Sequence, residues 1–517
     1  MKRNLRLTLV LGLGLSVALA GCDDAFLTKV PPDQLSNASF WKQEKDAVLA
    51  VNAMYPMLNG WNYLYFDAAS DNAWAQKSFS DWYPIGNGTV DASNGVVNNI
   101  WYDSYRAIRR VNEFLAHVDE IKEMDENLRA RLKGEALFHR AYHYNMLANL
   151  YGDVPLVLTP IDIEDAKQAT RTPRSQVIDQ VLKDLDDAAA VLPVTYDAAD
   201  YGRVTKGAAL ALKARAALWD GRYDVAAQAA KAVMDLSVYS LEPNYRDLFT
   251  YAGEGSPEII YADQRLKDQR SQSAFSTFGP HSMQGGSDVT PLRSLVDAYE
   301  TVDGSPVDPD NPYANRDPRM YATLLYPGAV FDGEVYNSLP DSPTADRVKA
   351  DFNTTATGYQ FIKYVDPADR ANPSNSGIDL IVMRYAEVLL TYAEAKIELN
   401  QIDQSVYDAI NAVRGRAGIT LITPGKSQTE LRDIVRHERR VEFADEGLRL
   451  FDIRRWKTAE DVMPGQSYGI SYVDENGQEQ KIPADNRIFD PARDYLWPIP
   501  LKELDLNPGL GQNPGYQ

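Results

Sequence analysis

Four of the eight tryptophans, Trp61, Trp74, Trp82 and Trp101, fall within 41 residues, beside Tyr63, Tyr65, Phe66 and Tyr83. A flat aromatic ring can stack on the C–H face of a sugar while neighbouring carboxylates and carboxamides bond its hydroxyls. Trp74 and Trp82 stand in polar, turn-prone sequence, with Asp71, Asn72, Gln76, Lys77 and Asp81 beside them, so they read as a solvent-facing ligand platform; the alternative is burial in a core. Trp101 keeps helical register with Ile108 and Leu115 and reads as core. Phe275, Phe278 and His281 are candidates for an opposite wall. The expected ligand contacts are therefore Asp71, Asn72, Trp74, Trp82, Tyr83 and Phe278.

Other residues invite different chemistry and carry less of it. His139 and His143 share one helical face at a spacing that can chelate zinc, but no third ligand is apparent and the glutamate of the metalloprotease motif is missing between them. Asp308-Pro309-Asp310-Asn311 is not a calcium loop, because Pro312 and Tyr313 fill the next positions. Glu438, Arg439, Arg440, Glu442, Arg454 and Arg455 resemble an active-site cluster. The stripe of Ile434, Val435, Val441 and Phe443 around them favours paired charges that fix helix packing. Among 73 acidic residues no two are singled out as the carboxylate pair of a glycoside hydrolase. No cofactor or metal is implied.

Cys22 is the only cysteine, so disulfides and multi-cysteine metal sites are ruled out. It follows Lys2, Arg3 and Arg6, an apolar run from Leu7 to Leu19, and Ala20-Gly21, the plan of an export signal. That run is too short to span a bilayer, which takes about 20 apolar residues. Leu19-Ala20-Gly21-Cys22 resembles the lipobox of bacterial lipoproteins, which implies cleavage after Gly21 and lipid on Cys22. Net charge is −20, or −23 once the signal's three cations are gone. Such a surface disfavours nucleic acid and anionic lipid.

Helices must position whatever the aromatic loop does. After an extended tether, a first helix is expected from Glu44 to Leu58, then loops to about Asn98, then helix from Trp101 to about Leu236. Lys206–Leu236 reads as an antiparallel pair turning at Gly221-Arg222-Tyr223, with Ala226 and Ala230 small enough for close packing. This looks like a tetratricopeptide unit. Val382–Ala417 reads as a second, turning at Asn400–Gln404, and degenerate units are expected at Arg129–Leu150 and Ser175–Leu192, about four in all. Ser427 with Glu430 forms a capping box. Twelve of the 29 prolines lie between Tyr251 and Asp379, which excludes long helices there and marks a loop-rich lobe. The expected organisation is a signal at 1–21, a helical half with the aromatic loop at 22–250, the Pro/Gly-rich lobe at 251–380, and helices with an irregular tail at 381–517, the last three making one mature domain. The expected fold class is mainly all-α: tetratricopeptide-like hairpins carrying a loop-rich ligand lobe.

Several stretches together resemble one family. They are Phe26-Leu27, Pro31-Pro32 and Phe40-Trp41-Lys42 near the start; Met383 to Leu390 with Tyr392-Ala393-Glu394-Ala395; His437 to Phe443, Glu446-Gly447 and Phe451 to Trp456; and Tyr495 to Pro500 with Gln512 to Tyr516. The chain resembles the SusD/RagB family of outer-membrane nutrient-binding lipoproteins over essentially its whole mature length. Asp445 departs from the pattern, where an apolar or aromatic residue is more usual. The resemblance implies four tetratricopeptide units, a ligand that is usually an oligosaccharide and in some branches a peptide, no catalysis, and a SusC-type TonB-dependent transporter as partner. It implies lipid anchoring at the outer membrane. The competing functions are a glycan-processing enzyme and a scaffold that binds proteins on its concave face.

Overall fold

A computed structural model describes residues 40–516. The expected export signal, Cys22, Phe26-Leu27 and Pro31-Pro32 lie outside the described residues. About 47% of the structure is helical, well above the one-third typical of soluble proteins. Among the described residues no helix is long and apolar enough to cross a membrane.

The first helix, α1 (Glu44–Asn52), ends sooner than expected. Pro56 has no N–H to return to Asn52, and the chain tightens into a 3-10 turn over Tyr55–Leu58. The stretch expected as loops to about Asn98 instead holds short helices at Trp61–Phe66 and Trp82–Asn87 before α2 (Gly95–His117), whose N-cap Asn94 accepts the N–H groups of Val96 and Val97 at 3.0 and 3.2 Å. Then follow α3 (Glu126–Tyr151), α4 (Arg174–Val191), α5 (Lys206–Trp219) and α6 (Tyr223–Asp235). The C-terminal half supplies α7 (Tyr385–Glu398), α8 (Gln404–Ala417), α9 (Gln428–Glu442) and α10 (Arg449–Arg455).

From α2 to α8 each helix packs on the next, and α9 joins α7. The approach of α5 and α6 follows from small side chains: Ala208, Ala214, Ala217, Ala226 and Ala230 are all buried. Gly221 at φ +74° and Asn400 at φ +55° make the turns of the two expected pairs. One expectation changes. The segments at Arg129–Leu150 and Ser175–Leu192 are not separate units; as α3 and α4 they pack on each other and form a single pair. The capping box stands as read, with the Ser427 N–H donating to Glu430 Oε2 at 2.7 Å.

Between α6 and α7 the proline-rich lobe holds only short elements. Antiparallel pairs tie it down: β1 (Ala73–Ala75) with β3 (Val289–Pro291), and β2 (Ile259–Asp263) with β4 (Leu380–Arg384). The tail, read as irregular, contains a hairpin of β5 (Gly465–Val473) and β6 (Glu479–Arg487). Asn476-Gly477 turns it, with Gly477 at φ +76°.

Lobe and helices meet across buried charges. Arg384 donates to Glu258 at 2.7 Å, Glu442 at 2.5 Å and Glu446 at 2.7 Å, while Arg319 reaches Asp317, Glu438 and Glu442. Arg439 pairs with Asp452 at 2.9 Å and Arg455 with Glu394 at 2.6 Å. Arg454 is half-buried, donating to the Asp494 carbonyl and lying over Trp497. The Glu438–Arg455 cluster is therefore structural. Burial alone would push Glu442 and Glu446 up, but Arg416, Arg384 and Arg319 hold Glu442, and Arg384 with Lys363 holds Glu446, below the usual carboxylate range.

Candidate functional site

The expected ligand residues are mostly interior, and the reading of Trp74 and Trp82 as solvent-facing is corrected. Trp74 lies in β1, paired with Thr290, and is buried. Trp82 is buried among Tyr65, Phe66 and Trp497, with ring centroids 5.8, 5.3 and 6.2 Å away. Phe278 is fully buried against Trp61 and Tyr65, and Phe275 is buried too. Asp71 is held by Arg440 at 2.9 Å and Arg449 at 2.8 Å, which outweigh burial and set its pKa at about 2. Asn72 accepts from Arg440 at 3.0 Å and is buried. Tyr83 is half-buried beside Trp82. Asp71 and Asn72, which read as part of a solvated loop, are instead satisfied by Arg440 and Arg449, 368 to 378 residues away in the chain.

His139 and His143 are both buried, and desolvation lowers each imidazole to a pKa of about 3, so they stay neutral. Among the described residues no group of three or more His, Cys, Asp or Glu is placed to hold a metal ion.

What does face solvent lies just beyond β1. Phe79 is 72% exposed and Phe352 60% exposed, and their rings stack at 5.6 Å with planes 20° apart. Two segments distant in sequence are clamped together to make this pair. The Gln76 side-chain amide donates to the Thr354 carbonyl at 2.8 Å and accepts the Ala356 N–H at 2.7 Å. Gln76 is itself fixed by β1, since its N–H continues the strand pairing onto the Asp288 carbonyl. Next to it the Lys77 ammonium sits 2.8 Å from Asp288, 3.2 Å from Asn353 and 4.4 Å above the Phe352 ring.

The far rim is built by Asp351. Its Oδ1 accepts the N–H groups of Asn353 at 2.7 Å and Thr354 at 3.1 Å, which shapes the turn carrying Phe352. Its Oδ2 lies 3.1 Å from His281 Nε2, so His281 does border the site. Beneath, Tyr65 reaches Asp288 at 3.5 Å, and burial beside that carboxylate raises its phenol well above the ordinary value. An exposed hydrocarbon face ringed by amides, carboxylates and an imidazole can stack on a sugar ring and bond its hydroxyls. Phe79 and Phe352 left a faint signal in the sequence: each is flanked on both sides by polar residues, in Ser78-Phe79-Ser80 and Asp351-Phe352-Asn353.

Comparison with known proteins gives concordant likenesses. Residues 254–516 match the model of the SusD family, and residues 26–218 match a family described as starch-binding and associating with the outer membrane. SusD-like protein P25 of Formosa agariphila is 27% identical, over 96% of this chain and 97% of that protein. The crystal structure of a SusD-like carbohydrate-binding protein from Bacteroides fragilis superposes with a TM-score of 0.85 at 31% identity, covering 92% of this chain and all of that one. A second SusD-like protein of B. fragilis gives 0.81 at 28% identity, covering 94% and 100%.

Proposed function

Because the chain belongs to the SusD family, we propose that it is a non-catalytic lipoprotein that captures oligosaccharides on the Phe79–Phe352 platform. Lipid on Cys22 holds it at the outer membrane, facing the cell surface, where it hands its ligand to a SusC-type TonB-dependent transporter. The observation that carries the ligand reading is the stacked, solvent-exposed phenylalanine pair inside a polar frame. Large apolar faces left open to water usually mark a place where something binds. The carbohydrate-binding relative from B. fragilis and the starch-binding description of the N-terminal match support a glycan as that something.

The test is titration of the purified mature chain against a panel of oligosaccharides, with each sugar analysed afterwards by chromatography. Binding of at least one sugar, with every chain length unchanged, is expected. Shortened products would make the protein an enzyme, and failure of every sugar to bind would remove the glycan reading.

A further inference from the structure

We infer that an apolar groove beside α2 is the dock of the chain's own segment Phe26–Leu35, which lies outside the described residues. The groove encloses about 880 Å³ between α2, the stretch 155–169 and the short helix Leu501–Leu506. Side chains bond its walls together. The Tyr105 hydroxyl donates to the Pro155 carbonyl at 2.8 Å, the Asn112 amide to the Val157 carbonyl at 2.9 Å, and the Asn507 amide to the Ala169 carbonyl at 2.7 Å. A groove fixed in this way loses little freedom when something enters it. What it shows to water is apolar: Ile163 is 73% exposed, Leu506 63% and Tyr102 58%. Isoleucine and leucine offer nothing to a sugar hydroxyl, so the groove suits an apolar stretch of polypeptide.

Position, composition and charge commit it to Phe26–Leu35. The Trp41 ring stacks on His117 at the end of α2, 5.5 Å away, and the same helix lines the groove from Asn112 back to Trp101. Along the helix axis His117 and Asn112 are about 7.5 Å apart. Leu35 precedes Phe40 by five residues, so it stays within about 17 Å of it. A short link of that kind gives the segment an effective concentration in the millimolar range, and modest contacts then suffice. Six of its ten residues are apolar: Phe26, Leu27, Val30, Pro31, Pro32 and Leu35. A spacer that supplied only length would need none of them. Pro31-Pro32 favours the extended polyproline form, which aromatic-lined grooves receive at low entropic cost, and Tyr102 and Tyr105 supply the rings. Arg109, exposed at the groove, has no carboxylate partner among the described residues, and the segment brings Asp33.

Docking would shorten the leash. Only four residues then separate the groove from Cys22, about 14 Å at full stretch, instead of the 18 residues and about 60 Å between Cys22 and Phe40. With lipid on Cys22 the groove face would be turned toward the membrane. That consequence rests on the lipid reading above; the docking does not.

The experiment uses the mature chain carrying Cys22→Ala, which removes the only cysteine, so an introduced pair is the sole pair. Leu27→Cys is combined with Ile163→Cys or Leu506→Cys in the groove, or with Leu49→Cys, which is 55% exposed on α1 beside the chain's point of entry. Disulfide formation under oxidised glutathione is timed, and mass spectrometry shows whether it joins one chain or two. At least one groove partner should react tenfold or more faster than Leu49→Cys, within one chain, and adding Phe26→Asp and Val30→Asp should abolish that advantage. Equal rates at all three partners overturn the inference. A faster bond between two chains assigns the groove to a second copy, and oligosaccharide binding lost in Tyr102→Ala makes it a sugar site; either result overturns the inference too.

Discussion

Asp445 stands at φ +63° with both carboxylate oxygens buried and without hydrogen-bond partners, against Asp67, whose Oδ1 is also unpartnered. The Asp445 N–H donates to Asp67 Oδ2. Burial raises both acids, Asp67 to about 6 and Asp445 well above its usual range; the Asp67 charge raises Asp445 further, while the Asp445 N–H and Lys363 offset only part of the rise at Asp67. The folded state therefore holds protons that the unfolded chain has released by about pH 4. The contribution of these two acids to stability accordingly falls as pH rises from about 4 through the raised pKa of Asp67, about 6, and on through that of Asp445. Asp445→Asn tolerates the left-handed backbone and supplies an N–H donor to the orphaned Asp67 oxygen. It should stabilise the protein by about 1–3 kcal/mol at pH 7.5, the scale of one relieved buried polar group, and by much less at pH 4. Thermal melts at both values check this; equal or lower stability of the variant at pH 7.5 would contradict it. Asp445 was visible in sequence as a departure from the family pattern, but its partner was not, because 378 positions separate the two acids. The same distance effect misplaced Asp71 and Asn72. It also hid the platform, since Phe79 meets Phe352 only through a fold-dependent clamp.

Elements were more legible than residues. Alanine spacing in α5 and α6, Gly221 at their turn and the Ser427–Glu430 box act within a few residues, so local sequence carries them. The pairing of α3 with α4 was missed because the connection between them is long and carries no periodic signal. The β5–β6 hairpin was missed although Asn476-Gly477 is a turn signature, since its strands lack clean alternation: Gly465, Gln466 and Tyr468 are exposed while the adjacent Gly469 and Ile470 are both buried. What joins lobe to helices is Arg384 at the end of β4, which meets carboxylates from the start of β2 and the end of α9. Arg384→Ala would leave Glu258, Glu442 and Glu446 buried with fewer counter-charges. A loss of about 3–5 kcal/mol is expected for breaking such a buried network from one side, read as a lowered denaturation midpoint. An unchanged midpoint would show that Lys363 and Arg416 suffice to hold the lobe.

At the scale of the molecule, a helical stack carries the proline-rich lobe, and β1–β3 pairing stitches the N-terminal aromatic loop onto that lobe. The stitch creates an inner layer and an outer one. Trp82, Trp61, Tyr65 and Phe278 form the inner aromatic layer, with Trp61 and Tyr65 half-buried, and Phe79 with Phe352 forms the exposed one. The two layers should respond oppositely to truncation, and that contrast tests the central claim most directly. The measurement is calorimetric titration of the best-binding oligosaccharide into the mature chain and into Phe79→Ala, Phe352→Ala and Trp82→Ala, with thermal melts of each. Phe79→Ala and Phe352→Ala should each weaken binding by about 1–3 kcal/mol, as expected for an aromatic anchor, with melting temperatures nearly unmoved. Trp82→Ala should instead lose about 3–5 kcal/mol of stability. Full affinity in both phenylalanine variants would contradict the account and place the ligand elsewhere on the molecule.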